Sequence, residues 1–108
     1  MTKLLKLSAI ENSTYVVSLT FKDQDGSNVM PTSATWTLTD AEGTVINSRE
    51  NVAISPLAAT ANIILQGLDL AAGDGSLQRN ISITAAYNSL GSIGLPLLGS
   101  VDFYIERL

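Results

Sequence analysis

The span from Tyr15 to Ile46 constrains this chain most, because it reads as strand, polar turn, strand, polar turn and strand in one short stretch. Tyr15, Val17, Leu19 and Phe21 alternate with Val16, Ser18, Thr20 and Lys22, the period of a strand covered on one face. Asp23-Gln24-Asp25-Gly26-Ser27-Asn28 follows, a run whose side chains bond their own backbone and tolerate left-handed conformations. Pro31 stands before the next strand, where a missing N–H costs no ladder bond. Ala34, Trp36 and Leu38 then point one way and Thr35, Thr37 and Thr39 the other, and Asp40-Ala41-Glu42-Gly43 turns the chain into Thr44-Val45-Ile46. A chain that begins in this way is set to fold as stacked sheets.

The remainder keeps the same style. Val52-Ala53-Ile54 and the span from Thr60 to Gln66 read as strands, and Leu68 to Ala72 as a helical turn bridging two sheets. Leu77 to Asn88 is the longest alternating segment and is expected to be a central strand; Val101 to Glu106 is expected to close the fold. Ser89 to Ser100, rich in glycine and leucine, reads as a loop. The expected fold is all-β, a β-sandwich of about seven antiparallel strands over residues 14–108, preceded by an N-terminal arm or edge strand over residues 1–13.

Composition removes whole classes of function. The 108 residues suit one domain, and they include no cysteine and no histidine. Disulfide frameworks, thiol nucleophiles, Cys/His zinc sites and imidazole catalysis therefore drop out together. Six basic against ten acidic residues give a net charge of −4, which argues against a nucleic-acid partner. No apolar run has membrane-spanning length, and Lys6 interrupts the only stretch that starts like an export signal. Two Asn-X-Ser/Thr triplets, at Asn12 and Asn80, are short matches without a secretory context.

Each candidate chemistry meets a plainer reading. The Asp23 to Asn28 run has the composition of a calcium loop, but its glycine falls fourth and Ala34 occupies the place of the bidentate glutamate, so a turn is expected and no metal. Asp40, Glu42, Glu50, Asp69 and Asp74 fall in turns or loops, where ionised groups stay hydrated with ordinary pKa values, so no catalytic residue is expected. Tyr15, Phe21, Trp36, Tyr87 and Phe103 share phase with the aliphatic core, leaving only Tyr104 outward; a sugar-stacking platform needs more than that. Two segments stand out as contact candidates. Lys3, Leu4, Leu5, Lys6 and Leu7 form a basic, apolar leader, suited either to docking on a neighbour or to simple solvation. Ile93, Leu95, Leu97 and Leu98, on the glycine-rich connection, either cap the open end of the sandwich or present a partner surface.

The phrase from Phe21 to Gly26, Pro31, and the run from Trp36 to Ile46 resemble the opening of small immunoglobulin-like domains of tailed-bacteriophage structural proteins, and Gly94-Leu95-Pro96-Leu97 leading into Val101-Asp102-Phe103-Tyr104-Ile105 is similar to their ending. The resemblance covers about residues 14–107, and the chain departs from antibody-type domains in lacking a cysteine pair beside Trp36. It implies a non-enzymatic virion structural protein, made in the bacterial host cytoplasm. The expectation is an accessory or decorating subunit bound to a head or tail lattice through its N-terminal arm and apolar loop, its partners other virion proteins or copies of itself, with no cofactor. A host-surface or glycan-binding immunoglobulin-like module is the alternative.

Overall fold

The computed structural model describes residues 2–5, 7–73 and 75–108, with the backbone alone for residues 2–4. The strands are β1 (Thr2–Leu4), β2 (Ala9–Ile10), β3 (Thr14–Thr20), β4 (Ser33–Asp40), β5 (Val52–Ala53), β6 (Thr60–Gln66), β7 (Gln78–Ser89) and β8 (Ser92–Glu106). One 3-10 turn, Gly67–Leu70, follows β6 where the sequence led us to expect a helical turn. The larger sheet has the order β1-β8-β7-β4-β5, with β2 also on the outer edge of β8, and β3 pairs with β6 in a second sheet. The chain is thus an all-β sandwich.

The alternation read from the sequence decides which face of each strand is inside. Val17 of β3, Ala34, Trp36 and Leu38 of β4, Ile63 and Leu65 of β6, Ile81, Ile83 and Ala85 of β7, and Val101, Phe103 and Ile105 of β8 build one continuous core. The Tyr15 ring lies 5.0 Å from that of Phe103, centroid to centroid, and so joins the two sheets through the middle. Tyr15, Phe21, Trp36, Tyr87 and Phe103 all turn inward, and Tyr104 is exposed.

One expectation is corrected. Residues 89–100 are not a loop: the chain turns at Leu90-Gly91 and returns as β8, already paired with β7 from Ser92. The two strands make a long hairpin, and the molecule measures 50 × 24 × 23 Å, with a radius of gyration of 14.5 Å, against about 13 Å for a compact chain of this length. Within residues 14–108 every strand pair is antiparallel, as expected, and the leader supplies edge strands. β1 and β2 run parallel to β8, with Thr2, Lys3 and Leu4 opposite Ser100, Val101 and Asp102, and Ala9 and Ile10 opposite Ile105 and Glu106. The described part of the leader is therefore hydrogen-bonded to its own domain, because the outer edge of β8 offers it unpaired N–H and C=O groups and the core accepts Ala9 and Leu5.

Candidate functional site

The contact residues anticipated from the sequence divide between three places. Lys3 and Leu4 lie on β1 opposite Val101 and Asp102, and Lys6 lies outside the described residues. Leu5 is half-buried against the core, whereas Leu7 is exposed and its carbonyl accepts the Tyr15 hydroxyl proton. Leu95 and Leu97 are half-buried, Leu97 against the core, while Ile93 and Leu98 are exposed. β1 begins opposite Ser100, two residues from Leu98; Ile93 lies about 17 Å beyond Leu98 along β8 at about 3.3 Å per residue.

The far end of the hairpin is built with unusual chemistry. β4 stops pairing with β7 at Ala86, so the part from Tyr87 to Leu95 projects beyond it. Its base is tied to the Asp23–Asn28 turn: the Tyr87 hydroxyl donates to Gln24 Oε1 at 2.9 Å, and Gln24 Nε2 donates to Ser89 Oγ at 3.2 Å. In that turn Asp23 Oδ1 accepts the amides of Asp25 and Ser27, so the oxygen considered for a cation holds the turn instead. Gly94, at φ 70°, makes a bulge opposite Asn88, whose Oδ1 accepts its N–H at 3.0 Å.

Leu90 and Gly91 form the two-residue turn between paired Ser89 and Ser92, at φ 53° and 78°. A turn with positive φ at both positions favours Asn-Gly or Asp-Gly, and a leucine there is strained. Leu90 is 88% exposed, Ile93 86% and Leu98 71%. Met30 is exposed two residues before Thr32, whose N–H reaches the Ala86 carbonyl at the hairpin base. From residue 80 to residue 101 the chain carries no charged side chain at all.

The start of β7 is the opposite in character. Asp69, expected in solvent, is fully buried on the 3-10 turn. Arg49 Nε donates to its Oδ1 at 2.7 Å and Asn47 Nδ2 to the same oxygen at 2.8 Å, while the Gln66 amide reaches Oδ2 at 3.1 Å. Burial pushes the Asp69 carboxyl up, but these hydrogen bonds and the Arg49 charge outweigh it and hold the group below its ordinary value. Arg79, also buried, donates to the carbonyls of Ser76, Gln78, Ala71 and Ala72. Burial lowers its pKa against the partial opposition of the Asp40 charge.

An open cleft of about 570 Å³ lies here, lined by Asp40, Glu42, Ile46, Leu68 and Arg79 among others. Asp40 Oδ1 accepts the amides of Glu42 and Thr44, and the Thr44 and Glu42 hydrogen bonds hold its carboxyl below the ordinary value. The acids here with perturbed pKa values are thus held ionised, which makes them poor proton donors. Asp74 lies outside the described residues. Among the described residues no three acidic side chains gather as a metal site would require. No protein-family model, curated protein or solved structure matches this chain.

Proposed function

We propose that the chain is an immunoglobulin-like, non-enzymatic accessory subunit of a tailed-phage virion, fastened to a head or tail lattice through the end of its β7–β8 hairpin. The observation that carries the docking role is Leu90. A leucine at a left-handed turn position, almost wholly in water, is unfavourable both for its backbone and for its side chain. Nothing among the described residues repays it, whereas a partner surface that covers Leu90 and Ile93 would.

The strand order supports the immunoglobulin-like part. β8, β7 and β4 sit side by side in one sheet with β3 and β6 in the other, the arrangement of strands G, F and C over B and E, and the buried Trp36 lies on β4, the equivalent of strand C. The virion setting rests on the sequence resemblance. In this reading the leader acts as an edge strand beside β8, and the hairpin end replaces it as the main point of attachment. Mass spectrometry of purified particles of the encoding phage tests the assignment. The chain is expected at a fixed number of copies per particle; its absence from particles would refute the assignment.

A further inference from the structure

Among the described residues the second sheet has two strands, and its outer face is bare. Thr14, Val16, Ser18 and Thr20 of β3 and Thr60, Asn62, Ile64 and Gln66 of β6 all point away from the core, and all are exposed. Val16 stands directly opposite Ile64, at 51% and 56% exposure, with Ser18 Oγ donating to Asn62 Oδ1 beside them. Outward positions of a solvated sheet are ordinarily polar, so an exposed cross-strand pair of branched aliphatic residues at the centre is out of place. A groove of about 330 Å³, lined by Leu5, Leu7, Tyr15, Val16, Val17 and Ser18, extends the apolar surface past the β3 edge.

We infer that this face is the contact between two copies of the chain, packed sheet to sheet about a two-fold axis that runs along the strands between β3 and β6. The charge distribution selects this occupant. A chain of net charge −4 repels its own kind, yet neither β3 nor β6 carries a charged residue, so two copies meet here without like charges in contact. A charged partner would find nothing on this face to recognise. The axis along the strands sets Val16 of each copy against Ile64 of the other. It also sets Thr14, Ser18 and Thr20 against Gln66, Asn62 and Thr60, hydroxyls against amides or hydroxyls. This surface is separate from the hairpin end, and its test does not depend on the virion assignment.

Sedimentation equilibrium of the full chain is the experiment. The unaltered protein is expected to show a reversible monomer–dimer equilibrium. Val16→Asp alone and Ile64→Lys alone each weaken it by about tenfold or more, with far-UV circular dichroism unchanged because both positions are at the surface. An equal mixture of the two variants restores association, since the new aspartate and lysine then face one another. Tyr104→Asp, on the outer face of the other sheet, leaves the equilibrium as it was. A monomer at every concentration, or dimers indifferent to both single substitutions, would overturn the inference; single losses without recovery in the mixture would overturn the proposed axis.

Discussion

At its first residues β7 is bound into the molecule by charge: Arg79 meets four backbone carbonyls, and the Asp69–Arg49 pair beside it locks the 3-10 turn to the segment after β4. At its last residues the same strand carries no charge of its own and leads into a strained leucine in water. One end uses polar groups to fix a connection in place, and every described contact of those groups is internal. The other leaves apolar groups unused. Strong internal satisfaction marks structure, and unsatisfied apolar exposure is where the proposed docking role places its partner.

The largest expected effect lies at the polar end. Asp69→Ala removes the carboxylate that Arg49, Asn47 and the Gln66 amide share, and it should lower unfolding free energy by about 3 kcal/mol in denaturant titrations. A loss well under about 1 kcal/mol would show that the network is ornamental and would erase the contrast. The pH dependence follows from the same group. Because its folded pKa is depressed, the stability it contributes is present above the ordinary carboxyl value of about 3.9 and is lost as pH falls through the folded value. Stability of the unaltered chain should therefore decline on acidification below about pH 4 more steeply than that of Asp69→Ala, as thermal melts across that range would reveal.

Smaller effects are expected at the hairpin. Tyr87→Phe loses the bond to Gln24 at the base and should cost about 1 kcal/mol. Leu90→Asn runs the other way. Asparagine accepts the left-handed turn conformation and the water around it, so this substitution should stabilise the isolated chain by about 1 kcal/mol. Destabilisation by Leu90→Asn would mean that the leucine has an internal role, and the contrast between the two ends of β7 would be lost. Ile93→Thr should change stability by less than about 0.5 kcal/mol, since the side chain touches little.

Much of this fold was legible in the sequence because a strand covered on one face writes its burial into every second residue. The span from Thr60 to Gln66 coincides with β6, and all five inward aromatics follow from their phase. The hairpin return was hidden by its own devices. Leu90-Gly91 lacks the Asn-Gly signature of a two-residue turn, the Gly94 bulge interrupts the period, and Pro96 reads as a breaker although β8 runs straight through it. The signal was present in Leu95, Leu97, Gly99 and Val101, which continue one alternation into Phe103. Burial of Asp69 had no local sign at all. Its partner Arg49 is twenty positions away, and only the folded topology brings them together. The parallel pairing of the leader is likewise a property of the assembled sheet, since the open edge of β8 exists only once β7 and β8 have paired.

The central claim is that the hairpin end gives up stability in exchange for attachment. Its most direct test is a competition in which the unaltered chain and a Leu90→Asn/Ile93→Thr variant, mixed in equal amounts, are offered to phage particles that lack the protein. The variant, although at least as stable in solution, is expected on particles at a level at least about tenfold below the unaltered chain, the equivalent of about 1.4 kcal/mol of lost contact. Equal recovery of the two would contradict the claim.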